Sequence, residues 1–303
     1  MPVQAEERYA LIVSGASGGD KFAENYKKWV AALETALRGR LGFPGDHIMT
    51  LSENGTGAAS ATKEGVAAAL AALQKRVTAN DTLMIVLIGH GTSDGGVTKF
   101  NLVGPDWDTK EWKQVIAPIT GRIIFVNTTS SSFPFVQDLS GKNRIVIAAT
   151  DSAAQKYDTI FPQFFIEALE NMAAADSDKN GRLSVWEAFV YASQAVKQWF
   201  DQKGTLVTER AVLDDNGDGV GKEFAATGPD GVLAKTTFLD AEPASSAANP
   251  AAAALEKQRI ALEAQIEELK GRKDQIAPAD YDAQLEKLAV ELAKISAEIR
   301  RTK

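Results

Sequence analysis

Four short segments of this chain are apolar at nearly every position. They are 9–14 (YALIVS), 82–88 (TLMIVLI), 122–126 (RIIFV) and 144–149 (RIVIAA). A strand with one wet face alternates polar and apolar residues; these do not, so both faces of each strand must be covered. Between them lie stretches of helical period. Residues 22–41 place Phe22, Tyr26, Trp29, Val30, Leu33 and Leu37 at three- and four-residue spacing. Residues 59–77 are Ala-rich, with Val66, Leu70 and Leu73 on one side. A shorter strand reads at 47–51 (HIMTL). Alternating strands and helices with covered strands predict an α/β three-layer sandwich around a mostly parallel sheet, wound by right-handed crossovers. In such sheets ligands gather at the carboxyl ends of the strands. Three of those ends are polar: Gly15-Ala16-Ser17-Gly18-Gly19, Gly89-His90-Gly91-Thr92, and the run from Asn127 to Ser132.

The pattern changes near residue 241. Residues 242–254 are small and Pro-interrupted and read as a linker. Beyond it, Leu255, Leu262, Ile266, Leu269 and Ile276 form one apolar stripe, and Leu285, Leu288, Leu292, Ile295 and Ile299 a second. Ala277-Pro278-Ala279-Asp280 separates them as a stop followed by an N-cap at Asp280. Residues 255–303 therefore read as a coiled-coil-like α-helical hairpin, folding on itself or pairing with another copy. Residues 1–241 form the main domain.

Chemistry is narrowed by what the chain lacks. There is no cysteine, which excludes disulfides, thiolate metal sites and thiol nucleophiles. His47 and His90 are the only imidazoles. A net charge of −7 provides no basic stripe for nucleic acid. No apolar run approaches the roughly 20 residues of a membrane span, and Met1 leads into a charged segment without the pattern of a secretory signal.

Residues 176–187 (DSDKNGRLSVWE) match a calcium-binding EF-hand loop at every diagnostic position. A hard cation needs six to eight oxygens. Asp176, Asp178 and Asn180 offer side-chain ligands, and Arg182 its backbone carbonyl. Ser184 binds directly or through water, Glu187 closes the loop with two oxygens, and Gly181 makes the sharp turn. Helical patterns at 161–174 and 185–200 flank it. A second stretch, 214–219 (DDNGDG), repeats the first half of the design with Asp214, Asn216 and Asp218. Its closing position is Ala225, and Glu223 lies two residues early, so the site is a weaker calcium loop, borrows a ligand, or is a metal-free turn. Calcium is the expected cofactor. Such loops suit calcium-rich surroundings, so an exported or periplasmic location is the expectation.

The Gly-rich turn VSGASGG has poor spacing for a dinucleotide fingerprint, and no Tyr is followed by Lys four residues on. The Gly-His-Gly at residues 89–91 is more informative. A His-Gly after one strand and a small polar segment ending the next, about 40 residues later, resemble the caspase-like clan of cysteine peptidases, in particular its legumain branch. In that pattern an apolar strand runs into Asn or an acid, then Ala, then the catalytic Cys. Here the stretch is Asn127-Thr128-Thr129-Ser130-Ser131-Ser132, and Thr129 stands where the cysteine belongs. The strand at 143–150 and the helix from residue 161 also resemble the family, and the likeness covers residues 8–200. It extends to bacterial caspase-like proteins in which a Ser/Thr-rich segment replaces the cysteine and calcium loops follow.

The resemblance implies a degenerate catalytic site of His90, Thr129, Ser130 and Ser131. A hydroxyl needs an efficient base held by a third group. Asp94 is the acid nearest His90 in sequence. The Arg-His pair with which legumain recognises Asn is absent; Ala23-Glu24-Asn25 stand in that region. The expected function is a calcium-binding pseudopeptidase acting as a binding or scaffold module with a protein or peptide partner. The alternative is a Ser/Thr-dependent hydrolase with His90 as base.

Overall fold

The computed structural model describes residues 6–241 and 250–302. Nine strands are present among them: β1 (Arg8–Ser14), β2 (Ile48–Leu51), β3 (Thr82–Ile88), β4 (Gly91–Asp94), β5 (Val97–Phe100), β6 (Trp107–Asp108), β7 (Arg122–Asn127), β8 (Arg144–Ala148) and β9 (Val212–Asp214). The helices are α1 (Asp20–Gly39), α2 (Lys63–Arg76), α3 (Thr109–Ile116), α4 (Phe133–Leu139), α5 (Phe161–Glu170), α6 (Met172–Ala175), α7 (Val185–Lys203), α8 (Val232–Thr236), α9 (Pro250–Gly271) and α10 (Pro278–Thr302).

The main sheet has six strands in the order β2-β1-β3-β7-β8-β9. The first five are parallel, and β9 closes the edge antiparallel, with Val146 opposite Asp214. β3 shows why these strands carry no polar alternation. Met84, Val86 and Ile88 pack on one face with α1, α5 and α7. Leu83, Ile85 and Leu87 pack on the other with α2, α3 and α4. Each such side chain gains about 1.5–3 kcal/mol by leaving water, so both layers are needed to anchor the strand. The architecture is the three-layer α/β sandwich with a mostly parallel sheet.

Strand order reverses beside β1: the next strand, β2, lies on one side and β3 on the other. The switch point lies at the carboxyl ends of β1 and β3, where the Gly15 amide donates to the Ile88 carbonyl at 2.9 Å. The chain leaving β3 turns back as the small antiparallel sheet β4-β5-β6. The sequence reading left that sheet, and β9, out: their strands are two to four residues long, and β4 is polar, so neither carries a periodicity.

Helix limits follow local chemistry. Thr62 caps α2 by accepting from the Gly65 amide, so this helix starts later than its Ala-rich pattern. Asp108 and Glu111 form a capping box at α3. The helical pattern at 161–174 is broken at Asn171, dividing α5 from α6.

The linker read at 242–254 falls largely on residues 242–249, which lie outside the described residues. Its last part is corrected: α9 already begins at Pro250. Proline suits the first helical position and the following alanines have the strongest helix propensity. The stop between the helices also comes earlier. α9 ends at Gly271, a 3₁₀ turn covers Lys273–Gln275, and Pro278 starts α10, so Asp280 lies in its first turn rather than at its cap. The two helices pack against each other, with Leu262, Ile266, Leu269 and Ile299 buried, and α9 also packs on α8.

Candidate functional site: a sealed hydroxyl run, an aromatic cavity and two acidic loops

β7 ends at Asn127, and the chain leaves the sheet through five consecutive hydroxyl side chains, all buried. A buried run without regular secondary structure must find partners for its polar groups, and the hydroxyls do so. Thr128 Oγ1 donates to the Leu87 carbonyl at 2.7 Å. Thr129 Oγ1 donates to Asn127 Oδ1 at 2.8 Å. Ser130 Oγ donates to the Gly91 carbonyl at 2.9 Å, and Ser131 Oγ to the Gln155 carbonyl at 3.0 Å. Ser132 Oγ lies 3.1 Å from Thr150 Oγ1. Ser131 has φ of 52°, a left-handed conformation locked by its own amide donating to the Gln155 carbonyl at 2.7 Å. Gly91 passes so close to this run that a Cβ there would sit 2.1 Å from the Ser130 carbonyl oxygen.

His90 stands beside the run on the strand turn after β3. Its Nε2–H donates to the Ser17 carbonyl at 2.9 Å, and its Nδ1 lies 3.3 Å from the Asp158 carboxylate. The ring is held edge-on by Phe22 and Tyr26, with centroids 4.7 and 5.7 Å away. Both ring nitrogens therefore face acceptors. Among the described residues, no hydroxyl of the Thr128–Ser132 run hydrogen-bonds to His90. The third group that orients the imidazole is Asp158, not Asp94, which is exposed in the β4–β5 hairpin. Asp158 lies far along the chain in a coil segment, where no local motif could announce it.

Past His90 lies a cavity of about 910 Å³. Six aromatic side chains line it: Phe22, Tyr26 and Trp29 from α1, Tyr157, and Trp199 and Phe200 from α7. Gly89 and Ser130 bring the carboxyl edge of the sheet into its wall. Glu209 lies there too, 2 % exposed, its two oxygens accepting from the Ile160 and Phe161 amides at the start of α5. Burial pushes its carboxyl up to about 7, against which those two amides act. Glu209 escaped sequence reasoning because it lies in a coil after α7 with no motif around it.

The 176–187 loop wraps around its own acidic side chains. Gly181 turns at φ 82° and Lys179 at φ 59°. Asp176 accepts from the Asn180 and Gly181 amides, and Asn180 Oδ1 accepts from Arg182. Carboxylate oxygens of Asp176, Asp178 and Glu187 come within 4.8 Å of one another, and this cluster can hold a metal ion. Crowding by Glu187 and Asp176 adds to burial in raising the Asp178 carboxyl above its ordinary range. Ser184 caps α7 and donates to Glu187 Oε2 at 2.8 Å, so it braces the closing carboxylate. The Arg182 side chain leaves the loop and pairs with Asp240 at 2.5 Å.

The 214–219 loop repeats this wrap. Its fourth and sixth positions, Gly217 and Gly219, have φ of 86° and 75°. Asp214 accepts from both of their amides, and Asp218 accepts from Val220. Asn216 donates to Asp218 at 3.1 Å. Glu223 lies 4.0 Å from Arg210. Asp230 packs behind this loop, and among the described residues it forms no group of three acids close enough to hold a metal ion. Its Oδ1 accepts from the Asp215 amide, and its Oδ2 is buried without a partner. Burial, and then the charges of Asp214, Asp215 and Asp218, push its carboxyl up to about 6.

No protein-family profile matches the chain, and no curated protein matches it. Among solved structures, a Geobacter sulfurreducens protein determined as a structural-genomics target is similar at 11 % identity, with a TM-score of 0.45 over 72 % of this chain and 97 % of its own. Among the described residues no helix is long and apolar enough to cross a membrane.

Proposed function

We propose that the chain is a calcium-binding, caspase/legumain-like pseudopeptidase that works as a binding or scaffold module. The observation that carries this reading is the pairing of a sealed hydroxyl run with an open aromatic cavity beside it. Thr129, Ser130 and Ser131 spend their protons on fixed carbonyl and amide oxygens, while His90 spends its Nε2–H on a backbone carbonyl. A nucleophile needs a base within about 2.6–3.2 Å of its proton, and no such contact supports one here. The cavity has the size and apolar lining of a ligand site. Calcium in the 176–187 loop would clamp the segment after α6 onto α7, through Glu187 at one end and the Arg182–Asp240 pair at the other. The α9–α10 pair supplies a second surface, suited to self-association.

One observation favours a hydrolase instead. Ser130 lines the same cavity, and His90 already has an acid, Asp158, at one nitrogen. A serine-reactive fluorophosphonate separates the two readings. The pseudopeptidase stays unlabelled with or without calcium. Labelling that disappears in His90→Ala would overturn it in favour of the hydrolase.

A further inference from the structure

We infer that the aromatic cavity takes an organic cation, a ligand whose ammonium group sits among the rings of α1 and against the carboxylates of the wall. The inference rests on the reading of this cavity as the binding cleft and names the chemistry of what enters it. Two features lead there. The first is the coincidence of π-faces and negative charge. Phe22, Tyr26 and Trp29 form a continuous aromatic band, with neighbouring centroids 6.4 and 5.9 Å apart. Glu209 and Asp158 stand in the same wall. Ring faces attract a cation through their quadrupole, most strongly where water is excluded.

The second feature is Tyr26. Its side chain is 5 % exposed and lines the cavity, yet its hydroxyl has no hydrogen-bond partner among the described residues. Burial, then the charges of Asp158 and Glu53, hold that hydroxyl in its protonated form. Tyr26 is thus a neutral hydroxyl in a field set by carboxylates, and its oxygen, the negative end of the phenol dipole, is open to a positive group in the cavity.

Lys21 and Lys28 also line the cavity, and their sign has to be weighed. Both are exposed on α1, where solvent and salt screen them. Glu209, almost fully buried and braced by the Ile160 and Phe161 amides, carries its charge only above about pH 7, where burial protects that charge from screening. Above that pH the buried acid outweighs the screened lysines at the inner wall. The exposed Tyr157 and Leu206, 73 % and 87 % exposed, give the mouth an apolar rim for the body that carries the cation.

The test uses the full chain and two probes of equal shape, benzyltrimethylammonium and its neutral carbon isostere neopentylbenzene. Trp29 and Trp199 line the cavity and report binding by fluorescence, with calorimetry as the second readout. At pH 8, where Glu209 is ionised, the cation should bind about tenfold more tightly than the neutral probe. Glu209→Gln and Asp158→Asn should each erase most of that preference while leaving the neutral probe unaffected. Asp158 is an exposed side chain, so its variant folds. Equal affinity for the two probes would overturn the cation assignment while leaving a binding cleft in place. Saturable binding of neither probe would also overturn it. Fluorophosphonate labelling would sink the pseudopeptidase reading whatever these probes do.

Discussion

His90 Nδ1 lies 3.3 Å from the Asp158 carboxylate, while its Nε2 faces the Ser17 carbonyl 2.9 Å away. The imidazole is thus held between an acid and a backbone carbonyl, with no hydroxyl of the Thr128–Ser132 run hydrogen-bonded to it among the described residues. The relationship makes Asp158 a brace for the ring and a wall of the cavity. Asp158→Asn should leave the melting temperature within about 1–2 °C, since a half-exposed ion pair contributes little. The same variant should move the His90 imidazole resonances in an NMR spectrum. Unchanged resonances would show that Asp158 does not hold the ring.

Calcium should raise the melting temperature, because only the folded chain presents the closed 176–187 cage. At a hundredfold excess over Kd, mass action contributes about 2.7 kcal/mol, or several degrees for a domain of this size. Glu187→Gln should remove most of the rise. Glutamine keeps the capping box with Ser184, so the helix start survives while the ligand charge is lost. Asp218→Ala should abolish a second, weaker step in a calorimetric titration. A melt that is the same in calcium and in excess chelator would refute the role.

Glu209 makes stability fall as pH rises. Its carboxyl goes from the ordinary 4.5 to about 7 in the folded chain, so the fold favours the protonated form. That contribution is fully present below about pH 4.5 and is lost as pH climbs through about 7. At 1.36 kcal/mol per unit it reaches about 3 kcal/mol at most. Lys197, Arg210 and Glu223 line the small pocket on its other side and are unchanged by a Glu209 variant. Glu209→Gln should flatten the difference in denaturant stability between pH 5 and pH 8. An identical pH profile for variant and parent would exclude Glu209 as its source.

The Arg182–Asp240 pair is buried on both sides, and Asp240 also accepts from the Leu183 amide at 2.9 Å. Asp240→Ala should cost about 3–5 kcal/mol, because it strands a buried guanidinium. Replacing both partners by apolar residues, Arg182→Met with Asp240→Leu, should recover part of that loss in urea unfolding. A single variant no less stable than its parent would show that the pair does not hold the loop.

The sequence by itself determined the layers and the first acidic loop. Covered strands such as β3 announce themselves because a side chain on either face must be apolar. The 176–187 loop announces itself because its ligands are local, set by twelve consecutive positions. The second loop was legible for its first half only, and among the described residues its acids form no group of three that could hold a metal ion. The tertiary structure decided what each functional side chain faces. Thr129, Ser130 and Ser131 read as candidate nucleophiles because a hydroxyl's reactivity depends on the atom opposite, and that atom lies on another segment: the Gly91 carbonyl for Ser130, the Gln155 carbonyl for Ser131. The His90–Asp158 contact and the Glu209 clamp likewise join residues distant in the chain. Their geometry exists only once those segments have met at the carboxyl edge of the sheet.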